Sequence, residues 1–292
     1  MQASTQADAG ADREFEFSSR DFDRVRKLIF AHAGISLNPG KHNMVYSRLS
    51  RRLRACGMNS FTEYLDALES DDAAERQGFI NALTTNLTAF WREPHHFPVL
   101  LEHLKRRAAA GAGQLQVWCS AASTGEEPYT IAITAMQAFG STTPPVRILA
   151  TDIDTNVLDT ARRGTYSAES VAGVDPDVLR RYFLRGSGAN AGSVKVRPEV
   201  AALVSFRRLN LLDPAWPLRG GFTALFCRNV MIYFDKPTQY AILHRMAPLL
   251  ETGGLLFAGH SENFSDARDL MRLRGRTVYE RLAGEVSARR HG

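Results

Sequence analysis

The fold turns on one stretch, Val117-Trp118-Cys119-Ser120-Ala121-Ala122-Ser123-Thr124-Gly125-Glu126-Glu127-Pro128-Tyr129. Residues 115–121 form a short apolar run with the composition of a buried strand. The run breaks into small residues and then into a helical pattern. Small residues at a strand-to-helix turn let a ligand approach the backbone closely, as in nucleotide-binding α/β folds. Two features exclude a dinucleotide site. The G-x-G-x-x-G spacing is absent, and Glu126 and Glu127 stand where a diphosphate would have to sit. Negative charge suits a ligand with cationic groups, and S-adenosylmethionine carries an ammonium and a sulfonium. Taken alone, the two acids are equally well explained as complements to a helix N-terminus.

Outward from this turn, residues 146–153, 203–211, 223–230 and 255–258 are further short apolar runs rich in β-branched or aromatic residues. Helical stretches separate 115–121 from 146–153, and residues 238–250 form another before the last run. This alternation predicts a mostly parallel sheet covered on both faces, an α/β, Rossmann-like architecture. Residues 277–282 add a final antiparallel edge strand. The alternation is interrupted over 164–205, where Arg185-Gly186-Ser187-Gly188 through Gly192-Ser193-Val194-Lys195-Val196-Arg197 reads as a hairpin with a Gly-rich loop. That length predicts a small inserted antiparallel β-subdomain.

Before the sheet the pattern is helical. Ser18 with Asp21 opens a helix whose apolar stripe is Phe22, Val25, Leu28 and Ile29, and Gly34 stops it. Asn38-Pro39-Gly40 is turn chemistry, and a basic helix follows over 41–55. Ser60-x-x-Glu63 opens a third helix and Asp72-x-x-Glu75 a fourth. The resulting division is a disordered tail over 1–14, a helical domain over 15–88, a sheet domain over 89–285 carrying the 164–205 insert, and a basic tail over 286–292.

With 44% hydrophobic and 23% charged residues the chain has the composition of a soluble globular protein. No apolar run approaches the ~20 residues of a membrane span. The polar start, Met1-Gln2-Ala3-Ser4-Thr5-Gln6, lacks an apolar signal core, so a cytoplasmic location is expected. Cys56, Cys119 and Cys227 are scattered, which argues against disulfides or a zinc cluster. No metal is expected, and His95-His96 reads as a surface pair. The net charge of +5 favours a polyanionic partner of unspecified kind.

Candidate ligand-binding residues sit at strand ends. Asp152, in Thr151-Asp152-Ile153-Asp154, is placed to accept from ribose hydroxyls, while Asp154 is the better helix cap. Asn210 ends the third run. Arg228 and Asn229 follow the fourth, within Phe226-Cys227-Arg228-Asn229-Val230-Met231-Ile232-Tyr233-Phe234. The ordered set now includes Asn86-Leu87-Thr88-Ala89-Phe90-Trp91-Arg92, Ser123-Thr124-Gly125-Glu126-Glu127-Pro128-Tyr129, the Thr151–Asp154 acids, Asn210-Leu211-Leu212, the Cys227–Phe234 run and Phe257-Ala258-Gly259-His260-Ser261-Glu262. Together these resemble the chemotaxis receptor methyltransferases, the CheR family, over roughly residues 15–282. The family commonly has two phenylalanines before the arginine where this chain has Phe90-Trp91.

The resemblance implies transfer of a methyl group from S-adenosylmethionine to receptor glutamates, with S-adenosylhomocysteine as product. It implies that Asn86, Thr88, Arg92, Glu126, Asp152, Asn210, Leu211, Arg228 and Asn229 line the cofactor pocket. Arg92 and Tyr233 would then lie nearest the transferred methyl. It also makes the basic helix the contact for the receptor methylation region. Lys41, Arg48 and Arg52 recur there at spacings of seven and four, with Arg51 beside them. On spacing alone the same residues are a solvated basic face. The inserted hairpin would be a possible second contact, for the receptor C-terminal peptide. Nucleic acid and membrane insertion are not expected. Two rivals stay open: a methyltransferase acting on RNA or a small molecule, and a cofactor-binding regulator without catalysis.

Overall fold

The computed structural model describes residues 13–70 and 73–282. The chain divides into two compact units between Thr84 and Thr85. The expected tails, except for Arg13 and Glu14, and the expected cap Asp72 lie outside the described residues. No helix among them is long and apolar enough to cross a membrane.

The first unit is all-helical: α1 (Ser19–Ala33), α2 (His42–Cys56), α3 (Phe61–Glu69) and α4 (Ala73–Leu83). Ser18 and Asp21 form the expected reciprocal capping box, and Gly34 ends α1 in the left-handed conformation. Ser60 caps α3 through the backbone N–H of Glu63. Val25, Ile29, Val45, Leu49, Leu53, Phe61, Tyr64 and Leu65 are buried together, with Phe79 and Leu83 from α4. Two residues of the expected N-terminal tail are held against α2: Arg13 donates to Asn43 and Glu14 pairs with Arg54.

The second unit carries α5 (His96–Ala109), β1 (Leu115–Cys119), α6 (Glu126–Phe139), β2 (Val146–Asp152), α7 (Thr155–Arg163), β3 (Thr165–Ser167), α8 (Pro176–Tyr182), β4 (Phe183–Arg185), β5 (Ser193–Val196), α9 (Pro198–Ala201), β6 (Val204–Arg208), β7 (Phe222–Cys227), α10 (Lys236–Met246), β8 (Leu250–Ala258), β9 (Met271–Gly275) and β10 (Val278–Arg281). Seven strands form one sheet in the order β6-β2-β1-β7-β8-β10-β9, the first five mutually parallel. The remaining three, β3-β5-β4, make the antiparallel sheet of the insert.

Alternation along the strands builds two cores. Val117 and Cys119 of β1 join Ala224 and Phe226 of β7 under α5 and α6. Trp118, Leu225 and Cys227 face the opposite layer, with Ile242, Leu243 and Met246 of α10. Helix α6 is buried on nearly every side, so its two threonines need internal partners. Thr130 and Thr134 donate to the carbonyls of Glu126 and Thr130, four residues back.

One strand expectation needs correction. The segment at 277–282 is not the edge: β10 lies between β8 and β9, and β9 closes the sheet. The sequence Met271-Arg272-Leu273-Arg274-Gly275 hides its strand character because four of its five residues are exposed.

Candidate active site at the carboxyl edge of the large sheet

From β1 the chain builds outward through β2 to β6, then returns to the other side of β1 to place β7 and β8. The order therefore reverses between β1 and β7. In open α/β sheets ligands bind outside the carboxyl ends of strands at such a switch point. The loops that meet there are 120–125 after β1 and 228–230 after β7. Among the described residues, six non-glycine residues have positive φ, and four of them are Trp91, Glu93, Ser123 and Asn229. Backbone strain of this kind, of order 1–3 kcal/mol each, persists where surrounding contacts over-determine it, and it concentrates at functional sites.

Asp152 ends β2 with its side chain buried, 8% of the residue being exposed. Oδ2 accepts the N–H of Ser123 at 2.8 Å and Oδ1 that of Asp154 at 3.0 Å. Ionised carboxylate oxygens offer about four acceptor sites, so capacity remains for hydroxyl donors. Burial pushes the Asp152 carboxyl up to about 6 against the backbone N–H groups of Asp154, Ser123 and Ile153, and the neighbouring Asp154 charge adds to the rise. Asp154 is the N-cap of α7, accepting from Asn156 and Val157, as its position predicts. Asn86 donates to Asp154 at 2.8 Å, and its carbonyl accepts from the Ser123 hydroxyl at 3.0 Å. Asn86 is thereby held beside Asp152.

Glu126, the first residue of α6, is buried and accepts from the Thr124 hydroxyl at 2.6 Å. Burial raises its pKa, and Thr124 opposes the rise. Gly125 has a reason of its own, independent of any ligand. It sits at φ 101°, and a Cβ there would meet the Tyr166 hydroxyl at 2.7 Å and Ala161 Cβ at 2.9 Å.

The second acid of the turn does something else. Glu127 accepts from Arg228 at 2.5 Å and from the Cys119 thiol at 3.2 Å, inside the protein. Burial raises Glu127, and Arg228 is the first of the groups that oppose it. Arg228 is 4% exposed; it also donates to the carbonyl of Arg92 at 2.5 Å and lies 3.5 Å from Glu93. Burial alone would raise Glu93. The ring and backbone of His260, with Arg228 and Asn229, outweigh it and hold the carboxyl at about 2. Thus Arg228 is a structural hub that joins the ends of β1 and β7 to the 91–93 loop.

The other predicted residues are placed as follows. Arg92 is half-buried and donates to the Leu87 carbonyl at 2.7 Å, while Thr88 is half-buried in the same loop. Asn210 is buried beyond β6 and accepts the N–H of Leu212 at 3.0 Å; the Leu211 side chain is buried in the core under α10. Asn229 adopts φ 59°, and its amide approaches Glu93 at 3.4 Å. Tyr233 is half-buried at the end of a 3-10 turn, Met231–Tyr233.

Sequence reading passed over Glu93, Ser123, Glu127 and Glu262 as individual site residues. Their signal was position alone: Ser123, Glu127 and Glu262 lie in quoted motifs and Glu93 directly follows one, but each reaches across to another strand end. His95-His96 is also corrected. His96 is fully buried, its Nε2 lying 3.1 Å from the Thr277 hydroxyl, and burial depresses its pKa to about 4. Glu93, His95 and His96 bring ligand atoms within 4.8 Å of one another. The Arg228 guanidinium beside Glu93 opposes a cation there.

The carboxyl edge of the sheet therefore collects buried Glu126, Asp152 and Asp154, while Glu127 and Glu93 are engaged by buried Arg228. This excess of negative charge fits a cationic nucleoside such as S-adenosylmethionine.

In the first unit the four predicted docking cations differ. Arg48 donates to the carbonyls of Ala82 and Thr84 at 3.3 and 2.7 Å, closing the end of α4. Arg52 pairs with buried Glu75 at 2.5 Å, and the Tyr64 hydroxyl donates to the same carboxylate at 2.6 Å. Lys41 and Arg51 are exposed.

Comparison with known proteins agrees with this geometry. Residues 20–84 match the family described as "CheR methyltransferase, all-alpha domain". Residues 86–279 match "CheR methyltransferase, SAM binding domain". Chemotaxis protein methyltransferase 2 of Pseudomonas aeruginosa is 52% identical over 279 residues, covering 96% of this chain and 99% of that protein. The chemotaxis protein methyltransferase of Klebsiella aerogenes is 56% identical over 263 residues, covering 90% and 89%. That of Escherichia coli K12 is 52% identical over 263 residues, covering 90% and 91%. With both units matched in order and the relatives covered almost end to end, the chain belongs to the CheR methyltransferase family.

Proposed function

We propose that this chain transfers the methyl group of S-adenosylmethionine to glutamate side-chain carboxylates of chemotaxis receptors, forming methyl esters that serve adaptation. The observation that carries the reading is the set of buried acids, Glu126, Asp152 and Asp154, at the carboxyl edge by the switch point, with Asp152 holding spare acceptor capacity. S-adenosylmethionine supplies an activated methyl on a sulfonium leaving group. The protein supplies alignment and a partly dry site.

Asp152 accepts from the ribose hydroxyls, and Glu126 faces the cationic part of the ligand. Asn86, Thr88, Asn210, Leu211 and Asn229 complete the lining. Arg228 contributes by holding Glu127, Glu93 and the Arg92 carbonyl in register. A receptor glutamate, with an ordinary pKa of ~4.3, is already ionised at neutral pH, so no general base is required. Arg92 offsets the rise in pKa that desolvation imposes on that carboxylate. Tyr233 borders the methyl-transfer position.

The helical unit, acting in the cytoplasm, docks the receptor methylation region. Of the four docking candidates, Lys41 and Arg51 are exposed, and Arg48 and Arg52 act mainly within the fold. The β4 edge of the insert, with Leu184 40% exposed, is available to add a strand from a receptor tail. The deciding experiment incubates receptor membranes with methyl-labelled cofactor. Base-labile, volatile label is the expected product of a glutamate ester; stable label points to N-methylation, and no label to a non-catalytic regulator.

A further inference from the structure

Glu262 lies outside the residues assigned to cofactor or methyl acceptor, yet it is 5% exposed and its carboxylate is densely used. Oε2 accepts the backbone N–H of Gly259 at 2.6 Å and of Asn229 at 2.9 Å. Oε1 accepts those of Val230 at 2.9 Å and Met231 at 2.7 Å. The architecture explains how one carboxylate reaches all four. β7 and β8 are parallel neighbours with Cys227 opposite Ala258, so the chain leaves both strands side by side. The tight turn Gly259-His260-Ser261-Glu262 is closed by the Glu262 N–H on the Gly259 carbonyl at 2.9 Å. It folds the β8 exit back over the β7 exit. A Cβ at 259 would clash with the Asn229 amide and lie 2.9 Å from Glu262 Oε2. Only glycine allows this approach.

Three consecutive N–H groups converge on one anion when the residue that leads them adopts a left-handed conformation, and Asn229 does so. The same segment ends in the 3-10 turn that carries Tyr233. We infer that Glu262 is a positioning residue for methyl transfer. Its carboxylate holds residues 229–233 in the strained conformation that presents Asn229 to the cofactor and Tyr233 to the transferred methyl. This rests on the function proposed above. A plain brace would lower stability and leave the chemistry of each folded molecule alone.

The test uses the full chain with E262Q. Glutamine keeps the shape but turns one acceptor into an amide donor facing two N–H groups. Melting temperature, S-adenosylhomocysteine affinity by calorimetry, and KM and kcat on receptor membranes are measured well below the melting temperature. The expected result is a folded variant whose S-adenosylhomocysteine affinity and kcat each fall roughly 10-fold or more, the scale of loss from a misaligned reacting group. E262D, which retains the charge, recovers part of both. A folded E262Q with wild-type affinity and kcat overturns the inference, as does a folded E262A with wild-type affinity and kcat should E262Q not fold. If wild-type chain forms no base-labile ester, the functional reading fails instead. The S-adenosylhomocysteine affinity of the variant still judges Glu262 in that event.

Discussion

In Asp152 a single buried carboxyl joins folding to the ligand binding proposed for it. Burial lifts its pKa from the ordinary 3.8 to about 6. The folded chain therefore keeps a proton there that the unfolded chain has lost between those values. This contribution to stability is fully present below pH 4 and is lost as pH rises through 6. Ligand hydroxyls that donate to the ionised form reverse the preference. S-adenosylhomocysteine affinity should consequently weaken as pH falls through about 6, and Asp152→Asn should weaken it roughly 10-fold and flatten that pH profile. Calorimetric titrations from pH 5 to 8 check both; an unchanged profile in the variant would remove Asp152 from the site. Arg92→Ala and Tyr233→Phe belong to the same scale. Neither residue is fully buried, so both variants should melt close to wild type, while Arg92→Ala should lose receptor methylation by at least about 10-fold. Asp152, Asp154 and Glu126 could be found in the sequence because strand ends and caps follow local pattern. The separate fates of Glu126 and Glu127 could not, because Arg228 lies 101 residues from Glu127.

At the scale of elements, α2 illustrates what spacing hides. Helical periodicity puts Lys41, Arg48 and Arg52 on one face, but it does not say what packs there. Glu75 of α4 takes Arg52, aided by Gly78, where a Cβ would press within 2.7 Å of the Arg52 guanidinium. Arg52→Ala should therefore act on the fold, leaving the buried Glu75 carboxylate its Tyr64 hydroxyl but no guanidinium, at a cost of about 2–3 kcal/mol. Lys41→Glu with Arg51→Glu should leave the melting temperature nearly unchanged and reduce receptor affinity. Chemical denaturation and receptor binding measured on both variants separate the two roles; a destabilised Lys41/Arg51 variant would contradict the assignment. The strands that line the site were readable because β7 is buried throughout and β1 and β2 carry only one exposed residue each. β9 was not, since a mostly exposed edge strand of alternating arginines carries no such run.

For the whole molecule, the distribution of charge matters more than its sum. A chain of net charge +5 nonetheless sets buried Glu126, Asp152 and Asp154 at the carboxyl edge of its large sheet, and puts exposed Lys41 and Arg51 on its helical unit. Each suits a ligand of opposite sign, but the two should answer salt differently. Buried charges are screened weakly, whereas exposed ones lose reach as the Debye length falls from ~10 Å at 0.1 M to ~3 Å at 1 M. Raising ionic strength across that range should weaken receptor binding roughly 10-fold, mainly through association rate, as expected for charges at a rim. S-adenosylhomocysteine affinity should change by less than about twofold over the same range. Both can be read on one preparation, by receptor co-sedimentation and by calorimetry. Equal salt sensitivity of the two ligands would mean that the crevice is as open to solvent as the helix surface. Receptor affinity indifferent to salt would remove Lys41 and Arg51 from docking and leave the insert edge to hold the receptor.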